Sequence, residues 1–129
     1  MGYRSDVYIK ALKKHEQSIL QTLASINALD WIDVHQKDDT YVFIGMPDLK
    51  WYDSYNDVRT IESKISSINE DLEVHEACLF AIGEDQAIHS EIGSLWDLDV
   101  ETYITVDGMN GEKDVTKEEL KKSYPELFV

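Results

Sequence analysis

The stretch VRTIESKISSINEDL, residues 58–72, sets Val58, Ile61, Ile65, Ile68 and Leu72 at intervals of three, four, three and four. That spacing returns apolar side chains to one side of a 3.6-residue helix and leaves charged and small polar residues on the other. Two heptads are too few for a coiled coil, so the pattern predicts a helix laid on a core. Ser54 or Asn56 can cap its start, and Asp57 suits the positive end of the helix dipole. Just upstream, Tyr41-Val42-Phe43-Ile44 is an uninterrupted apolar run, typical of a central strand covered on both faces. Gly45, Pro47 and Asp48 are expected to end it.

Further upstream, Val7 and Ile9 alternate with Tyr8 and Lys10 in a short first strand. Leu12, Ile19, Leu23 and Ile26 then fall at helical spacing, predicting a helix over about 12–28 with Asn27 near its end. Residues Trp31 to His35 alternate, and Asp38-Asp39 turns the chain back toward Tyr41, which makes a hairpin. Downstream, 74–83 reads as a strand containing Cys78, Phe80 and Ile82, and 84–93 as a loop. Leu98, Val100, Thr102, Ile104 and Val106 follow with strict period two, the mark of a half-exposed strand. Thr116 with Glu119 forms a capping box for a short last helix stopped before Pro125. This order predicts one globular domain over 1–129 of the α+β class. Its antiparallel sheet carries both long helices on one face, a ferredoxin-like (split βαβ) variant with an extra strand and a short C-terminal helix.

Charge is distributed unevenly. Residues 65–112 contain twelve Asp and Glu and no Lys or Arg, whereas residues 1–64 hold ten acids against eight bases and 113–129 hold four of each. The middle block therefore supplies −12 of the net −14. Such a field repels nucleic acid and anionic lipid and attracts basic surfaces. Asp97, Asp99 and Glu101 are expected on one strand face, about 6.6–6.8 Å apart, close to the spacing of successive phosphates on one strand. Glu70, Asp71, Glu73, Glu76, Glu84, Asp85 and Glu91 extend the field. The sequence thus predicts a partner-binding surface that imitates DNA or RNA, built from Asp97, Asp99, Glu101, Glu70, Asp71, Glu73, Glu76, Glu84 and Asp85. The plainer explanation is a solvated sheet face that keeps the chain soluble.

No reaction is written in the chain. Walker A, G-x-G-x-x-G, G-x-S-x-G and kinase signatures are all missing. His15, His35, His75 and His89 are scattered, and His89-Ser90-Glu91 lacks the paired cysteines of a zinc deaminase. No cofactor, metal or catalytic residue is expected, and the chain reads as a non-enzyme. The lone Cys78, set between Ala77 and Leu79, fits a buried strand and a reducing compartment. Lys10, Lys13 and Lys14 read as a solvated helix start rather than a nucleic-acid patch. With no apolar stretch long enough for a membrane span, a cytoplasmic protein is the expectation.

The opening Met1-Gly2-Tyr3-Arg4-Ser5-Asp6-Val7, the segment Val42-Phe43-Ile44-Gly45 followed by Lys50-Trp51-Tyr52, and Ile82-Gly83-Glu84-Asp85 resemble a family of small acidic bacteriophage and prophage proteins. The resemblance spans most of residues 1–85. It implies a phage accessory protein in the bacterial host cell, an inhibitor of a basic nucleic-acid-binding host protein such as a nuclease or defence complex. It carries no catalytic residues with it. A soluble structural or assembly protein and, behind it, a small carboxylate-dependent enzyme are the alternatives.

Overall fold

The computed structural model describes residues 4–52, 54–85, 87–95, 97–98, 113–114 and 117–128. Strand β1 (Ser5–Leu12) leads through a 3-10 turn (Lys13–His15) into helix α1 (Glu16–Ser25). A second 3-10 turn (Leu29–Trp31) precedes β2 (Val34–Lys37) and β3 (Tyr41–Leu49). Helix α2 (Asn56–Asn69), β4 (Ala77–Gly83) and β5 (Ile88–Ile92) follow. Strand β6 (Lys113–Asp114), helix α3 (Lys117–Ser123) and a 3-10 turn (Pro125–Phe128) complete the described chain.

The strand order is β5-β4-β1-β3-β2-β6. Every pairing is antiparallel. Since β1 and β2 both run against β3, they are parallel to each other, and α1 connects them across the intervening strand. Likewise α2 connects β3 and β4 across β1. These are two interleaved split βαβ crossovers in an α+β fold.

Both helices cover one sheet face. Leu23 from α1 and Val58, Ile61 and Ile65 from α2 are buried with Val7, Ile9, Ile44 and Leu79 from the sheet, and Ile26 and Ile68 pack at the margin. Alternate strand residues point to opposite faces, so Tyr8, Phe43, Cys78 and Phe80 form a second apolar layer with Leu95 and Leu98. There Tyr8 stacks between Phe43 and Phe80, at centroid distances of 5.7 and 5.2 Å. Gly45 lies across from Tyr8 in the ladder. A Cβ at Gly45 would sit 3.3 Å from the Tyr8 ring and 3.2 Å from Val34 Cβ, so glycine makes room for the aromatic row.

Several boundaries differ from the sequence reading, each for a local reason. Helix α1 starts at Glu16 because β1 keeps pairing as far as Leu12, whose N–H donates to Glu76 O at 2.9 Å. It ends where Asn27 turns left-handed (φ 58°), with Ala28 N–H bonding Leu23 O and Asn27 N–H bonding Ala24 O. That double bond is a Schellman ending, and Asn tolerates its geometry. Lys10 belongs to β1 rather than to a helix start, and its ammonium lies 4.4 Å from the Tyr41 ring centroid.

Strand β2 begins at Val34 because residues 29–31 are used in the 3-10 turn. Strand β3 does not stop at Gly45 or Pro47. It reaches Leu49 through a bulge in which Pro47 and Asp48 oppose the single residue Asp6. Asp48 takes φ 58°, and its N–H donates to Asp6 Oδ1 at 3.0 Å. Helix α2 has Tyr55 at its N-cap with no side-chain cap, so neither Ser54 nor Asn56 serves that role. It ends at Asn69, which leaves Leu72 beyond it. Strand β4 begins at Ala77, not Val74, and the expected loop 84–93 contains β5. The expected strand from Leu98 begins in a turn at Asp97–Leu98. Its remainder and Thr116 of the expected capping box lie outside the described residues.

Candidate functional site

Seven of the nine carboxylates expected to form one surface lie among the described residues, and the fold divides them. Glu70, Asp71 and Glu73 are exposed in the α2–β4 loop, at one end of β4. Glu84 and Asp85 are exposed in the β4–β5 turn at its other end. Six residue steps along β4 put the two groups about 20 Å apart at roughly 3.3 Å per step. Asp97 lies in a turn and accepts the His75 backbone N–H at 2.9 Å, a bond that holds the chain locally. Asp99 and Glu101 lie outside the described residues.

Cations and donors from elsewhere reach part of the acidic block. Glu76 Oε1 accepts His15 Nε2 at 2.8 Å and stands 3.3 Å from Lys14 Nζ. Hydrogen bonding from His15, backed by the Lys14 charge, holds the Glu76 carboxyl below its ordinary value. Glu84 accepts the Arg4 backbone N–H at 3.0 Å, and Asp85 accepts that of Ala87 at 3.2 Å. Glu70, Asp71 and Glu73 differ: among the described residues no cation lies within ion-pair distance of them.

The chain after α2 is fixed at its base. Asn69, 8% exposed, donates from Nδ2 to Ala77 O at 2.8 Å and accepts the N–H groups of Glu76 and Ala77 on Oδ1 at 2.9 and 3.1 Å. Leu72 N–H closes onto Asn69 O at 3.0 Å, and Asp71 adopts φ 65°. His75 Nδ1 accepts Ser94 N–H at 2.9 Å. Next to Ser94, Gly93 has φ +80°, and a Cβ there would lie 2.3 Å from Ala77 O. A shallow groove of about 650 Å³ runs from this end along α2 to Ile92, with Arg59, Glu62 and Glu70 on its walls. Glu62 is already engaged, accepting Ser90 Oγ at 2.8 Å and Trp51 Nε1 at 3.3 Å.

A second cluster went unread in the sequence. Glu16, 2% exposed at the first turn of α1, accepts His35 Nε2 on Oε2 at 2.8 Å. Its Oε1 accepts Tyr124 Oη at 2.9 Å and Lys37 Nζ at 3.4 Å. Burial pushes the Glu16 carboxyl upward, but the His35 and Tyr124 donors and the Lys37 charge outweigh it, so its pKa is lowered. Burial and the same carboxylate push the Tyr124 phenol up to about 12. Both carboxylate oxygens are occupied and both Glu16 and His35 are buried, so this cluster joins elements and offers no open reacting atom. Its signal was present: Glu16 precedes Ile19, Leu20 and Leu23 by three, four and seven residues, which puts a carboxylate on the apolar face of α1.

Among the described residues, no group of three or more His, Cys, Asp or Glu side chains is placed to hold a metal ion. The Cys78 thiol is buried, and loss of solvent pushes its pKa up to about 12, so the nucleophilic thiolate is suppressed. No helix of the described residues is long and apolar enough to cross a membrane. Comparison with known proteins adds no assignment. No family model, curated protein or solved structure matches the chain.

Proposed function

We propose that this chain is a non-enzymatic accessory protein of phage type that binds and inhibits a basic nucleic-acid-binding host protein in the bacterial cytoplasm. The observation that carries this reading is the exposed group Glu70, Asp71 and Glu73, which no described cation balances, inside a 48-residue block without Lys or Arg. Anionic groups presented this way speed encounter with a basic groove and lose their pull as salt rises. Glu84 and Asp85 provide a second anionic point about 20 Å away along β4. The contact then resembles two clusters on one duplex face rather than a single ladder of phosphates. Glu76 and Asp97 act within the fold and support the surface without joining it.

The test has two stages. Proteins captured from a bacterial lysate on the immobilised chain at low salt are identified, and the purified partner is then titrated against a DNA or RNA competitor. Competition, together with weakened binding by Glu70→Gln/Asp71→Asn/Glu73→Gln, is the expected result. A partner that keeps its nucleic acid while bound to this chain removes the mimicry.

A further inference from the structure

The same loop carries an apolar feature that charge alone does not account for. Among the residues whose side-chain exposure is described, Tyr55, Leu72 and Val74 are the large exposed hydrophobics, and two of the three fall within the five residues Glu70 to Val74. Leu72 is 37% exposed and Val74 66%. Exposed apolar residues are ordinary when scattered singly; here two, one residue apart in sequence, share a loop whose backbone is bonded at both ends.

The backbone here is fixed on both sides of the pair. Before it, the Asn69 side chain bonds Glu76 and Ala77 while its carbonyl accepts Leu72 N–H. After it, His75 is tied to Asp97 and Ser94. Gly93 lets Ala77 approach so closely that no other residue fits without displacement. A loop pinned in this way gives up little further freedom on binding, so its exposed side chains act as a preformed contact.

We propose that Leu72 and Val74 are the anchor of a docking tip that inserts into an apolar pocket rimmed by lysine and arginine on the partner protein. Glu70, Asp71 and Glu73 surround the anchor and select that rim by charge complementarity. The inference rests on the reading of the chain as a binder of a basic protein surface. It adds that the apolar pair holds the complex, while the carboxylates set its approach. Interfaces commonly divide labour this way, with a desolvated apolar centre inside a polar rim.

The test uses two defined probes: an amphipathic helical peptide of leucine and lysine, and an oligolysine of equal charge. Each is titrated into the full chain by calorimetry and by amide chemical-shift mapping. The leucine-lysine peptide is expected to bind at least tenfold more tightly than oligolysine and to shift amides of residues 70–76. Leu72→Ser/Val74→Ser is expected to abolish that tenfold preference and leave the salt dependence as it was. Glu70→Gln/Asp71→Asn/Glu73→Gln should flatten the salt dependence while the preference for leucine persists.

Equal binding of the two probes, shifts centred elsewhere, or a double variant that keeps the preference overturns the proposal. So does self-association of the free chain that the double variant removes, since that assigns the tip to a second copy. Shift mapping on the wild-type chain decides the matter even where a variant is poorly folded. A partner that retains its nucleic acid would defeat the mimicry but leave these peptide results standing, so the two readings fail separately.

Discussion

Glu16 and the Glu70–Glu73 group are carboxylates of similar intrinsic chemistry, placed in opposite circumstances. Glu16 is buried, with both oxygens engaged by His35, Tyr124 and Lys37. Glu70, Asp71 and Glu73 are exposed, with no described cation beside them. The first site has spent its charge on the fold, and the second has no described ion pair. Counting acids along the chain does not separate these cases. The neighbours of each carboxylate in space do.

Substitution should therefore give opposite results at the two places. Glu16→Ala leaves the buried His35 without its acceptor and the partly exposed Lys37 without its counter-charge, and is expected to cost about 3–5 kcal/mol in urea unfolding. A loss below about 1 kcal/mol would show that water reaches the cluster. The pH dependence has a definite sign. Because the folded-state pKa of Glu16 is lowered from 4.5, its contribution is present above that value and disappears as pH falls through the folded-state value. Stability measured from pH 7 downward should fall less steeply in Glu16→Gln than in the wild type.

Ile65→Ala supplies an apolar reference for the same helix-covered face. With Ile65 fully buried, the lost transfer energy and residual cavity should cost about 2–5 kcal/mol. An unchanged denaturation midpoint would show that α2 packs in another register. Tyr124→Phe removes one donor to a charged acceptor and is expected to cost about 1.5–3 kcal/mol. Proteolysis at the C-terminal helical segment should then become faster. The smallest effect belongs to the exposed group. Glu70→Gln/Asp71→Asn/Glu73→Gln should shift unfolding by no more than about 0.5 kcal/mol per site, as surface changes do. A larger loss would mean that these carboxylates also serve the fold, and the contrast with Glu16 would collapse.

How much of this was legible depended on whether a residue's role was local. The spacing of Val58, Ile61 and Ile65 and the run from Val42 to Ile44 located α2 and β3, because periodicity records which side faces a core. Asn27 marked the end of α1 through its tolerance for a left-handed backbone. Strand β5 was not legible, since an edge strand with Ser90 and Glu91 in its middle lacks a buried pattern, and its pairing with β4 is irregular near Ile82. The continuation of β3 through Pro47 depended on a bulge set by Asp6 of another strand.

The candidate site divided along the same line. The acidic block was plain in the sequence, but its separation to the two ends of β4 was not. Neither was the capture of Glu76 by Lys14 and His15, which lie more than sixty positions away. Glu16 and Asn69 could have been found, because each puts a polar group on the apolar stripe of its helix. Leu72 was misplaced because the three-four spacing continues through it, whereas the helix has ended at Asn69 and Asp71 has already turned the backbone away.

The bond from Tyr124 to Glu16 joins positions 108 apart in the chain. Bringing such distant residues together carries a larger loop-closure entropy than any hairpin contact in this sheet. During synthesis Glu16, His35 and Lys37 leave the ribosome long before Tyr124 does. The buried carboxylate can be bonded by its first two partners while its third is still being made. Closure by the phenol is then a late event, one that marks the arrival of the C-terminal segment on a sheet already paired.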